Sequence, residues 1–197
     1  MKRFESLVIV GSSGAGKTTL VNGLRTPEFA DTVVIPRRYI TRPERNGDDL
    51  GENSHVDKEW FEKCVLARLI KPYWERDLEN GRKESYGFDV VDDEDPRLRV
   101  YSANNAFLRN PNPSAEKVLE NGLVVVAMSG SASRSDRLSA RSPDMGAEER
   151  AVRLEDEGTD MLSTGLTTET IDTSGLTPEE GQAAFRAIVD TALSSRQ

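Results

Sequence analysis

The apolar positions of this chain fall into short unbroken runs separated by longer stretches of mixed polarity. Residues 4–10 end in Leu7-Val8-Ile9-Val10 and are closed by Gly11. A short, β-branched, uninterrupted run is what a strand covered on both faces of a parallel sheet requires. Leu123-Val124-Val125-Val126-Ala127-Met128 repeats that pattern more strongly, and residues 32–35, 97–102 and 168–171 repeat it more weakly. Between the runs the spacing turns helical, over residues 16–25 and over 113–121, where Gly122 stops it. A last amphipathic helix opens at Thr177-Pro178-Glu179-Glu180, where proline is tolerated because first-turn N–H groups have no helical partner. Residues 37–94 break this alternation. Pro36 closes the second run, and a turn-rich stretch follows at Asn46-Gly47-Asp48-Asp49, then an aromatic helix over 57–70 and a charged stretch through Tyr86-Gly87.

Strands alternating with helices predict an α/β fold of three layers, a mostly parallel central sheet with helices on both faces, whose ligand sits at the carboxyl ends of the strands. With 197 residues the expectation is one domain. Its core comprises residues 1–36, 95–128 and 147–197, with an inserted region over 37–94. Residues 129–146, rich in Ser, Arg and Ala, allow a linker by composition alone, and residues 148–157 have helical character.

Charge and composition narrow the chemistry. A net charge of −8 argues against a nucleic-acid partner, so a small anion must be held by local arginines. Cys64 is the only cysteine and His55 the only histidine, which removes internal disulfides, Cys/His zinc sites and histidine-paired triads. The apolar runs are too short to cross a membrane, and the chain is expected to be cytoplasmic, as a monomer or homodimer.

Directly after the first run, Gly11-Ser12-Ser13-Gly14-Ala15-Gly16-Lys17-Thr18 satisfies the phosphate-loop spacing G-x-x-x-x-G-K-[ST]. Its glycines let backbone N–H groups converge on an anion, and the spacing assigns Lys17 to the β and γ phosphates and the Thr18 hydroxyl to Mg²⁺. Thr19 completes this candidate set for ATP. A second cluster, Arg37-Arg38-Tyr39-Ile40-Thr41-Arg42-Pro43-Glu44-Arg45, places four guanidiniums in nine positions just past a strand. Guanidinium holds phosphate bidentately at any working pH, so the cluster reads as a second phosphate site. The alternative is a solvated basic turn pairing with Asp48, Asp49 and Glu52.

Tyr39-Ile40-Thr41-Arg42-Pro43, Gly51-Glu52-Asn53-Ser54-His55-Val56 and Tyr86-Gly87 together resemble the guanylate kinase superfamily of P-loop kinases, and within it the ribose 1,5-bisphosphate phosphokinase branch. The resemblance implies a P-loop NTPase sandwich with an inserted acceptor-binding region and a lid. It places Arg42 and Arg45 on the acceptor phosphate with Tyr86 and Gly87, adds Arg38, Thr41 and His55 to the acceptor side, and assigns Arg137, Arg141, Arg150 and Arg153 to a lid over ATP. The chain departs from guanylate kinases in carrying Arg38 where they have a serine and His55 in place of a tyrosine, which points away from guanine. No strand at 97–102 or 123–128 ends in a carboxylate; Asp92 to Asp95 are possible substitutes, or an exposed acidic turn.

The expected activity is transfer of the γ-phosphoryl of MgATP to a phosphorylated ribose-type acceptor, ribose 1,5-bisphosphate giving 5-phosphoribosyl 1-diphosphate. Two alternatives stand beside it, a guanylate or other nucleoside monophosphate kinase, and a guanylate-kinase-like binding module without activity. A switch GTPase would need an N-K-x-D element, which the chain lacks. Trp60 and Phe61 are expected to pack a small core in the inserted region, as are Tyr73 and Trp74 unless they face a sugar or base.

Overall fold

Two sheets organise the chain. The computed structural model describes residues 3–44, 51–78, 81–109, 111–141 and 165–196, Arg141 by its backbone alone. In chain order the elements are β1 (Ser6–Val10), α1 (Lys17–Asn22), β2 (Val33–Val34), β3 (Arg38–Ile40), β4 (Asn53–His55), α2 (Lys58–Leu66), β5 (Ile70–Asp77) and β6 (Lys83–Asp89). They continue with β7 (Leu98–Ser102), α3 (Ala106–Arg109), α4 (Pro113–Glu120), β8 (Gly122–Met128), α5 (Ser131–Arg141), β9 (Thr168–Asp172) and α6 (Pro178–Ser194).

The central sheet has the order β2-β7-β1-β8-β9, and every pairing in it is parallel. All five residues of β1 are buried, as a strand covered on both faces must be. Successive side chains point to opposite faces. Leu7 and Ile9 therefore join Leu20 and Val21 of α1 and Phe185 and Val189 of α6, while Val8 and Val10 join Phe107 of α3 and Ala115 and Leu119 of α4. This is the three-layer α/β arrangement expected from the strand–helix alternation.

The second sheet, order β4-β3-β6-β5, was not legible in the sequence. Its β5 and β6 form an antiparallel hairpin in a stretch that reads as irregular and charged. Along β5 only Ile70, Pro72 and Trp74 are buried, so three apolar contacts fix a strand whose other face is polar. The helix expected over 57–70 ends at Leu66, because Arg68 takes a left-handed conformation (φ 58°) that turns the chain into β5. Asp57 caps its start, accepting from the Trp60 N–H at 2.7 Å. Phe61 is buried with Cys64 and Ile70, but Trp60 is 40% exposed and lies against Tyr39, so it is not part of that small core. Trp74 is fully enclosed between the two sheets, stacked on Tyr86 and edge-on to Phe107, and so faces no ligand.

Helix α5 occupies the stretch that allowed a linker reading. The helical character expected over 148–157 lies outside the described residues. No helix among the described residues is long and apolar enough to cross a membrane.

Candidate functional site

The loop between β1 and α1 is shaped by what it must pass. Gly11 has φ 144°, and a Cβ there would stand 2.3 Å from the Ala127 carbonyl oxygen of β8, so only glycine can turn the chain at this point. Gly16 (φ 84°) caps the start of α1. Lys17 Nζ donates to the carbonyl oxygens of Gly11 at 2.5 Å and Ser12 at 3.0 Å, which holds the ammonium inside the loop. The Thr18 side chain is partly exposed and makes no hydrogen bond to a described residue. A cradle that a Cβ would fill, closed by a lysine, fits the phosphates of a nucleotide, and a free hydroxyl at its edge fits a hydrated Mg²⁺.

Helix α5 packs directly on this loop. A Cβ on Gly14 would meet the Arg134 carbonyl oxygen at 3.2 Å and Leu138 Cγ at 3.3 Å. Arg137 reaches across it, with Nη1 donating to the Gly14 carbonyl oxygen at 3.3 Å and to Thr173 Oγ1 at 2.9 Å, and Nη2 to the Thr173 carbonyl oxygen at 2.6 Å. Arg141 ends the same helix, and Arg150 and Arg153 lie outside the described residues.

Thr173 is a residue that sequence reading missed. Its buried hydroxyl stands 3.1 Å from the Ala15 carbonyl oxygen and 3.0 Å from that of Met128, so one side chain ties the phosphate loop, the end of β8 and Arg137 together. The available signal was its position immediately after a strand, at the ligand end of a parallel sheet. Thr173→Val keeps the shape and removes the hydroxyl, and is expected to lower stability by about 1–3 kcal/mol because buried polar groups lose their partner. Denaturant unfolding checks this, and a loss below about 0.5 kcal/mol would show that the hydroxyl is not the link.

The acceptor-side candidates lie on the second sheet. Arg38, expected to face an acceptor, instead binds protein groups: Nε donates to Asn53 Oδ1 at 2.8 Å, Nη1 to the Ser102 carbonyl oxygen at 2.5 Å, and Nη2 lies 3.6 Å from Glu52 Oε1. The Thr41 hydroxyl is likewise used within the sheet, accepting from the Ser85 N–H at 2.8 Å. Gly87 is required by packing, since a Cβ there would lie 2.2 Å from Ile70 Cγ2 and 3.1 Å from Tyr73 Cβ. Arg42 stands just past the end of β3, with Nη1 on the Pro43 carbonyl oxygen at 2.8 Å. His55 Nδ1 is 3.0 Å from the Arg42 carbonyl oxygen, which only accepts, so that nitrogen carries the proton and the ring braces the Arg42 backbone. Arg45 lies outside the described residues.

Tyr86 donates its hydroxyl to the buried carboxylate of Glu84. Burial, with the Glu84 charge next in importance, pushes the phenol up to about 12, and Arg42 is near enough to oppose that rise. The hydroxyl therefore stays protonated and donates. Glu84 was also missed, although its place two residues before Tyr86 puts both on one face of a strand.

Both halves are mounted on the same end of the central sheet. Arg38 bonds Ser102, the last residue of β7, and Trp74 Nε1 donates to Asn104 Oδ1 at 2.9 Å just beyond it. Ser102 is aligned with Ile9, two residues before the phosphate loop. Asp92 to Asp95 are at the opposite end: they precede β7 and line a cavity with Ser6 and Asn121, at the starts of β1 and β8. A strand of that length separates them from the loop by about 15 Å, too far to share an ion with Thr18. Among the described residues no group of three or more His, Cys, Asp or Glu side chains is placed to hold a metal.

No protein-family model matches the chain, and neither does any curated protein. Among solved structures it is similar to guanylate kinase from Anaplasma phagocytophilum, with a TM-score of 0.59 at 16% identity over 100% of this chain and 91% of that one. A sugar kinase from Janibacter sp. HTCC2649 gives a TM-score of 0.46 at 15% identity over 98% of this chain and 99% of that one. A gluconokinase from Sinorhizobium meliloti 1021 gives 0.45 at 14% identity over 99% of each chain. At these identities the likeness to the guanylate kinase is one of fold.

Proposed function

We propose that this chain is a P-loop kinase that phosphorylates a small phosphorylated acceptor, with ribose 1,5-bisphosphate as the preferred candidate. The observation that carries the reading is the mounting of two cationic features, the Lys17 loop under Arg137 and the segment that runs from β3 to Arg42, on one end of the central sheet. Residues 37–94 would form the acceptor-binding part and residues 129–146 the lid. When bound, MgATP supplies the phosphoryl group that passes to an acceptor oxygen as ADP leaves.

The chain's own part is positioning and charge. Lys17 and Arg137 would stabilise negative charge spread over the transferred group's oxygens, and Thr18 would face the metal. Arg42, braced by His55, would hold the acceptor phosphate, with Tyr86 and Glu84 behind it. Arg45, Arg141 and Arg153 would add their charges to the acceptor and lid sides. No protein nucleophile is needed, because the acceptor phosphate already carries anionic oxygens.

A nucleoside monophosphate acceptor is the second reading, favoured by the similarity of the fold to a guanylate kinase structure. Coupled ADP release with ribose 1,5-bisphosphate, GMP, dGMP, AMP and UMP separates the two; turnover on nucleotides alone rejects the first. Turnover on none of these favours a binding module. The division of labour has its own test: Arg42→Ala is expected to raise KM for the acceptor by about tenfold or more with little change for ATP, and Arg137→Ala to do the reverse. Matching defects in both variants would overturn that division.

A further inference from the structure

At the amino ends of the central strands, away from the phosphate loop, lies a cavity of about 650 Å³. That is within the size range of small-molecule sites. The Phe4 N–H donates to Ser195 Oγ at 3.4 Å, which draws the chain before β1 against the end of α6 and sets Arg3 beside Arg196. Arg99 enters from β7, its Nη2 held by the carbonyl oxygens of Asp92 at 2.9 Å and Asp93 at 3.3 Å. The side chains of Arg3 and Arg196 make no hydrogen bond or ion pair among the described residues. Burial, then the charges of Arg3 and Arg99, depress the Arg196 guanidinium below its usual value, with the Glu5 and Asp95 carboxylates near enough to oppose the fall. The carboxylates of Glu5 and Asp95 offset part of the mutual repulsion of these three guanidiniums, and an anion bound between them would relieve the rest.

The lining also carries carboxylates, Glu5, Asp92, Asp93, Glu94 and Asp95, and some of them are committed. Asp95 is bound by Arg97 Nη2 at 2.7 Å, and Asp92 Oδ1 accepts from the Glu94 N–H at 3.0 Å. Carboxylates facing a guanidinium cluster disfavour a bare anion filling the cavity, yet they accept hydrogen bonds from hydroxyl groups. We propose that this cavity binds a small phosphorylated polyol, its phosphate among Arg3, Arg99 and Arg196 and its hydroxyls toward the loop at 92–95. Lys117 of α4 also lines the cavity and adds to the same field.

Calorimetric titration of the full chain with glycerol 3-phosphate tests this, beside Arg3→Gln/Arg196→Gln, Lys117→Gln and Lys17→Ala. The double variant removes mutual repulsion, so its fold should persist, as circular dichroism can verify. Saturable binding, weakened about tenfold or more in the double variant, less in Lys117→Gln, and unchanged in Lys17→Ala, is expected. Lack of saturable binding, or binding that Lys17→Ala abolishes and the double variant retains, overturns the site. Inorganic phosphate binding as tightly as glycerol 3-phosphate overturns the polyol.

Discussion

Lys17→Ala is expected to lower phosphoryl transfer by about a hundred- to a thousand-fold, the usual result of deleting one preorganised charge at a transition state. The ammonium of the half-buried Lys17 rests on the carbonyl oxygens of the buried Gly11 and Ser12. Loss of these contacts should leave the fold in place, since Gly11, Gly16 and the α5 contacts shape the loop independently of the lysine. Steady-state ADP release together with thermal unfolding checks both halves. Near-normal turnover would remove Lys17 from the reaction, while a collapse of the melting temperature would make it a structural residue.

Trp74→Ala should have the largest effect on stability, about 3–5 kcal/mol, as large-to-small changes at fully enclosed aromatic positions do. The indole is 1% exposed, with ring centroids 5.4 Å from Tyr86, 5.4 Å from Phe88 and 5.0 Å from Phe107. It also donates to Asn104, so the substitution both opens a cavity and leaves a polar group without its donor. The second sheet loses one of its attachments to the first, beside the Arg38–Ser102 hydrogen bond and the Phe88–Tyr101 contact. Trp74→Phe retains most of the packing and is expected to cost about 1–2 kcal/mol, mostly the hydrogen bond. Denaturant unfolding gives both values; a loss under about 1 kcal/mol in Trp74→Ala would show that the two sheets are held by the other contacts.

The legible parts of this fold are those where one segment carries its whole signal. The phosphate loop is such a case, because Gly11, Gly16 and Lys17 are set by local backbone geometry and sit within eight residues. The parallel strands are another, since a strand covered on both faces must be apolar throughout and β1 and β8 are. The β5–β6 hairpin failed that reading because only alternate positions of β5 are buried, and Glu75, Arg76 and Asp77 hide the alternation. Trp60 was misplaced for a similar reason: an aromatic side chain can cover a surface tyrosine as readily as fill a core.

On the acceptor side, residue type alone could not sort the arginines. Arg38 and Arg42 are four positions apart on or beside one strand, yet Arg38 bridges Asn53 and Ser102 while Arg42 stands beside Tyr86. Which protein groups each guanidinium meets depends on what the second sheet packs against. The same holds for Gly87, whose missing side chain answers to Ile70, seventeen positions away.

From local pattern alone come the strand–helix alternation, the phosphate loop and the small apolar cores of single elements, because each depends on neighbours within a turn or a strand. Long-range packing assigned the rest: Thr173 to the loop, Arg137 over it, Glu84 behind Tyr86, and the carboxylates at 92–95 to the far end of the sheet. Those relations join residues up to 158 positions apart, and a linear pattern holds no trace of a distance that arises only when the sheets close on each other.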